Sequence, residues 1–101
     1  MIQGTTPTHI FTINFHPRLI SKMEITYAQR NKVVCKKTLA DIEVGGDNTY
    51  KVRLTQEETL KFDEKDPVFI QVRILTIDGE ALASGIRKID VDHILDKVVI
   101  E

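Results

Sequence analysis

Leu54-Thr55-Gln56-Glu57-Glu58-Thr59-Leu60-Lys61-Phe62 decides how the rest of the chain is read. Thr55 stands just before the helical positions, where its hydroxyl can accept a hydrogen bond from a free amide. Glu58, three residues on, can reach back to the Thr55 amide, which is the capping-box pattern. Glu57 and Glu58 also sit at the positive end of the helical dipole. Asp63-Glu64-Lys65-Asp66-Pro67 then closes the segment, because a polar run favours a turn and proline has no amide to continue a helix. The stretch is one helical turn between a strand ending near Leu54 and another starting at Val68. It is expected to cross from one layer of strands to another, burying Leu60 at the crossing.

Upstream, the residues alternate. Thr8 to Phe15 places Phe11, Ile13 and Phe15 on one face, and His16-Pro17-Arg18 ends that strand. From Leu19-Ile20 a second strand turns Met23, Ile25 and Tyr27 inward. Gln29-Arg30-Asn31-Lys32 closes a hairpin onto Val33-Val34-Cys35-Lys36-Lys37-Thr38, although no Asn-Gly or Asp-Gly fixes its turn type. Asp41-Ile42-Glu43-Val44 is a short run, Gly45-Gly46-Asp47-Asn48 a strong turn signal, and Tyr50, Val52 and Leu54 the inward positions of the next strand.

Downstream, Val68, Ile70, Val72 and Ile74 alternate with Phe69, Gln71, Arg73 and Leu75 in the clearest strand of the sequence. Its partly apolar second face predicts a central or covered place in its sheet. Asp78-Gly79 between two apolar runs marks a hairpin. In the return strand, Ala81 to Val91, the Ser84-Gly85 pair predicts a bulge that moves the apolar register from Leu82 to Ile89 and Val91. The tail Asp92–Glu101 reads either as one helical turn followed by an edge strand or as a flexible end. Residues 1–7 read as a loose lead-in.

About seven short strands with one helical turn near residues 55–62 predict an all-β fold, an antiparallel immunoglobulin-like β-sandwich, with a small open barrel as the alternative. Paired cysteines and a core tryptophan, hallmarks of immunoglobulin domains, are absent. The 101 residues fit one domain, residues 1–101, long enough to bury roughly 60–70% of the unfolded surface. A composition 42% hydrophobic and 29% charged argues against disorder.

Net charge is −1, and the 14 basic residues are dispersed, which argues against a nucleic-acid partner. Lys32, Lys36 and Lys37, the densest basic spot, read as a solvated strand face. The lone Cys35 can form no internal disulfide and reads as a small packed apolar residue. No run approaches the roughly 20 apolar residues that cross a bilayer, and the first seven residues lack the features of a secretion signal, so the expected place of synthesis and folding is the cytoplasm. His9, His16 and His93 lack ligand spacing and read as surface positions. Capping and turn formation account for Glu57, Glu58, Asp63 and Asp66. Gly45-Gly46 lacks the lysine and helix of a phosphate loop. The expectation is a non-enzyme without metal or cofactor.

One surplus stands out. Phe69 and Leu75 on the outer face of the clearest strand, with Ile94, Leu95, Val98 and Val99 in the tail, are candidate interface residues, because large apolar patches are seldom left bare. The alternative is that the tail folds back over that face. A carbohydrate- or other ligand-binding module is the competing function. It is disfavoured by the absence of tryptophan and by Tyr27 and Tyr50, both expected inside.

The run Val52 to Phe62, continued by Ile70-Gln71-Val72-Arg73-Ile74-Leu75 and Asp78-Gly79, resembles small uncharacterised proteins encoded among virion genes of phages and prophages of Gram-positive bacteria. More loosely, it is similar to the N-terminal β-sandwich domain of phage baseplate upper proteins. The resemblance implies a structural accessory made in the bacterial cytoplasm and incorporated into a virion. Its partners would be other virion or baseplate proteins, or further copies of itself.

Overall fold

A computed structural model describes residues 1–101 as two packed antiparallel sheets. Its strands are β1 (Thr8–Thr12), β2 (Ile20–Gln29), β3 (Lys32–Thr38), β4 (Ile42–Val44), β5 (Thr49–Arg53), β6 (Val68–Thr76), β7 (Ala81–Ala83) and β8 (Arg87–Ile89), with one helix, α1 (Gln56–Leu60). One sheet runs β1-β5-β4. The other runs β3-β2-β6, with β7 and β8 both pairing the far side of β6. Lettered as in immunoglobulin domains, β1, β5 and β4 take the places of B, E and D. Strands β3, β2 and β6, with β7 and β8 together as one strand, take those of C′, C, F and G. The fold is therefore an immunoglobulin-like β-sandwich, and β6 is central, as its two-sided apolarity predicts.

Strand alternation builds the core. Met23, Ile25 and Tyr27 from β2, Tyr50 and Val52 from β5, and Val68, Ile70, Val72 and Ile74 from β6 are all buried. Each such side chain contributes about 1.5–3 kcal/mol when removed from water. Phe11 joins them, and Ile13 and Phe15 pack against the same cluster although β1 itself stops at Thr12.

The turns follow local chemistry. Arg30 and Asn31 have φ of 52° and 62°, so β2 and β3 are joined by a two-residue turn with both central residues left-handed, the primed type that matches strand twist. At the next hairpin, the Thr76 amide donates to the Glu80 carbonyl at 2.9 Å, and Gly79, at φ 84°, supplies the left-handed residue of a three-residue loop. The return strand slips by one residue between β7, where Arg73 faces Ala83, and β8, where Ile70 faces Arg87. Ser84 makes this predicted bulge. Its amide donates to the Val72 carbonyl at 2.8 Å and its hydroxyl accepts from the Val72 amide at 3.0 Å.

Five expectations need correction. Residues 1–7 are not a loose lead-in: Ile2 bridges Asp92 in parallel, and Gln3 is buried because its side-chain amide donates to the Phe62 carbonyl at 2.7 Å. Leu60 is only half-buried, and Thr59 and Phe62 are the residues sealed at the crossing, at 0% and 1% exposure. A one-turn helix points successive residues about 100° apart, so the buried position shifts with a small rotation. Lys37 is buried, because it shares strand parity with Cys35. His9 shares parity with Phe11 and is half-buried, where a surface position was expected. The tail forms neither helix nor strand and does not cover the outer face of β6. Ile94 lies against Gly4 and Leu60, and the Ile100 backbone meets the Gln56 side chain.

Replacing Gly79 by alanine should lower the urea-unfolding free energy by roughly 1 kcal/mol through its positive φ. Gly46→Ala, in open space without such a φ, should leave it nearly unchanged. Equal losses would refute this reading of the loop.

Candidate functional site

Two places in the fold hold more than packing. The first is the crossing. At α1, the Thr55 hydroxyl accepts from the Glu58 amide at 3.1 Å, and the Thr55 amide donates to Glu58 Oε1 at 2.8 Å, closing the capping box. The same carboxylate reaches the five-stranded sheet: Lys37 Nζ donates to Oε1 at 2.7 Å and Cys35 Sγ to Oε2 at 3.4 Å. Burial alone would raise the Glu58 pKa. The hydrogen bonds from Lys37, the Thr55 amide and Cys35 outweigh it and hold the carboxyl at about 2, against an ordinary 4.5.

Cys35 is shifted the other way. Burial first, then its hydrogen bond to the Glu58 carboxylate, push the thiol up to about 11. It is therefore protonated at neutral pH and a poor nucleophile. Beside it, the Tyr27 hydroxyl lies 2.7 Å from His9 Nδ1. Burial raises Tyr27 and lowers His9, so a neutral imidazole accepts the phenol's proton on Nδ1 and carries its own on Nε2. This cluster joins the sheets and the helix through satisfied hydrogen bonds. It presents no ionised nucleophile and no base aimed at open space.

The other two histidines are local. His16 Nδ1 accepts from the Arg18 amide at 3.2 Å, and His93 Nδ1 lies 3.4 Å from Glu64.

The second place is the flank between β1 and the β7–β8 strand. No strand lies outside β1, where immunoglobulin strand A would pair. The only relic of that strand is at one end, where Met1–Gln3 runs beside Asp92: Gln3 donates to the Asp92 carbonyl at 3.0 Å and the Asp92 amide to Met1 at 2.8 Å. Beyond it the flank opens into a groove of about 430 Å³, walled by Phe11, Ile13 and Phe15 on one side and Leu82, Ser84 and Arg87 on the other, with inward side chains of β6 as its floor.

Both rims carry free backbone groups. The Leu54 amide donates to the Pro7 carbonyl and the Ile13 amide to Asn48, so odd-numbered residues of β1 face β5, and Thr8, Ile10 and Thr12 turn their peptide groups outward. The Ser84 and Thr76 bonds to β6 and its partner strand leave Ala81 and Ala83 outward in the same way. Arg87 stands 5.3 Å over the Phe11 ring, and neither it nor Lys88 is paired with a carboxylate.

The six candidate interface residues fall into two groups. Phe69, 40% exposed, and half-buried Leu75 share the outer face of β6 but are separated by Gln71 and Arg73, about 20 Å apart along the strand. Ile94 and Val99 are half-buried in the tail, and Leu95 and Val98 point to solvent. The groove was not among the candidates. Its only sequence signal was the inward parity of Ile13 and Phe15 beyond the end of a pairing strand.

No protein-family model matches the chain, and no curated protein matches it. Among solved structures it is similar to the V domain of amphioxus IgVJ-C2, at 12% identity over 89% of this chain and 95% of that one, with a TM-score of 0.36. No helix is long and apolar enough to cross a membrane.

The sign of the Glu58 contribution follows from its lowered pKa. The stability it adds is complete above about pH 4.5 and is lost as pH falls toward about 2. Glu58→Gln should reduce the unfolding free energy at pH 7 by roughly 1–2 kcal/mol, and the gap to the parent should shrink steadily between those pH values. A gap independent of pH would contradict the assignment.

Proposed function

We propose that the chain is a non-enzymatic structural accessory module of a phage or prophage that acts by protein-protein docking through its open flank within a virion or baseplate assembly, its partners being other virion or baseplate proteins or further copies of itself. The observation that carries this reading is the pair of unpaired strand rims around an apolar groove. An exposed edge with free peptide groups is a template for strand addition, in which main-chain bonds give affinity and the groove selects alternate side chains. The virion setting is supported by the resemblance of Val52 to Phe62 and Ile70 to Leu75 to proteins of virion gene clusters. Phe69 and Leu75 offer a second, smaller contact on the outer sheet, and the tail residues Ile94, Leu95, Val98 and Val99 a third.

Glycan binding draws no support from the aromatic residues. Tyr27 and Tyr50 are both fully buried, so neither forms a stacking platform.

When a phage is induced from the bacterium that carries this gene and its particles are banded by density, the protein should travel with the particle band. Finding it only at the top of the gradient, with free soluble protein, would refute the virion role.

A further inference from the structure

The geometry points to the occupant of the groove: the tail of a second copy of this chain, Asp96-Lys97-Val98-Val99-Ile100-Glu101, entering as the missing outer strand. The inference rests on the docking reading above and names the partner.

Four observations carry it. The tail is the most exposed apolar segment of the molecule, with Leu95 at 95%, Val98 at 66% and Ile100 at 80% exposure. Its β-branched run Val98-Val99-Ile100 favours a strand, yet it forms none within its own chain. Extended, six residues span about 20 Å, which fits the bare rim running from Ala81 toward Lys88. Val98 and Ile100 would share one face and point into the groove.

Charge agrees. The unpaired Arg87 and Lys88 stand at the rim, and the segment carries Asp96 and Glu101 against one Lys97, which lies beside Glu64. The present anchorage of the tail is a substitute for strand pairing. The Gln56 side chain donates to the Ile100 carbonyl at 3.2 Å and accepts from its amide at 2.8 Å, imitating a single neighbouring peptide. Beyond that, half-buried Val99 packs in part, and Lys97 lies 3.6 Å from Glu64, an exposed contact of small worth.

The tail and the groove lie at opposite ends of β1. The tail sits by α1, which follows Arg53, the partner of Thr8, whereas the groove lies beside Thr12 and Phe15. The contact between copies is therefore head-to-tail and repeats until a ring closes or a filament grows.

Two full-chain variants test this by analytical ultracentrifugation. Val98→Asp/Ile100→Asp removes the donor at exposed positions and leaves the groove intact. Ala83→Pro removes an outward-facing amide from the rim, where proline costs no bond to β6, and leaves the tail intact. The parent should sediment faster as concentration rises. Each variant alone should remain a monomer, and an equal mixture of the two should form a dimer and nothing larger. A parent that stays monomeric, a tail variant that associates like the parent, or a mixture that stays monomeric would overturn the inference. Particle banding is scored separately, so a monomer that still travels with particles would sink the self-pairing and spare the docking role.

Discussion

The Glu58 carboxylate is the joint on which the sandwich depends. The chain leaves the three-stranded sheet at Arg53 and enters the five-stranded sheet at Val68, and only one helical turn lies between. A single side chain fixes that turn to itself through Thr55 and to the opposite sheet through Lys37 and Cys35. A half-buried carboxylate with a single partner would gain little. One that accepts from an ammonium, a backbone amide and a thiol is stabilised in its charged form. Around this joint the buried glutamines complete the closure: Gln3 donates to the Phe62 carbonyl at 2.7 Å, and Gln29 donates to the Asp63 and Asp66 carbonyls at 2.7 and 2.9 Å.

Closure at one end contrasts with the open flank. Immunoglobulin-like sandwiches seal the gap between B and G with strand A, and here the first residues reach only as far as the Gln3 to Asp92 bond. The result is a molecule whose core is complete enough to hold together and whose edge retains hydrogen-bonding groups and apolar surface. Natural monomers usually blunt such an edge with charge, proline or a bulge. The Ser84 bulge and Lys88 blunt the β7–β8 rim in part, while Thr8, Ile10 and Thr12 leave the β1 rim bare of charge. The fold thus leaves unfinished sheet exposed along this flank, while Glu58, Lys37, Cys35, His9 and Tyr27 are held in hydrogen bonds that tie the sheets and the helix together.

Much of the fold was legible in the residues, and the reasons are local. The capping box, the Asp78-Gly79 turn, the Ser84-Gly85 bulge and the alternation of β2, β5 and β6 each rest on contacts within a few residues, so sequence carries them. What escaped depends on distant partners. Lys37 reads as solvated until Glu58, 21 residues away, is placed opposite it. Its parity with Cys35 was the available clue. His9 likewise shares parity with Phe11, but its partner Tyr27 lies on the other sheet. The groove was the least legible feature, because it arises from a strand that is missing.

The central claim is that the sandwich is sealed at the Glu58 crossing and unfinished along the β1 and β7–β8 rims. Amide hydrogen exchange on a dilute sample of the isolated chain tests it directly. The account predicts slow exchange for Ile25 and Tyr27 in β2 and Ile70 and Val72 in β6, and near-unprotected exchange for Thr8, Ile10, Thr12, Ala81 and Ala83. Rim amides protected as strongly as those of β2 and β6 would contradict it.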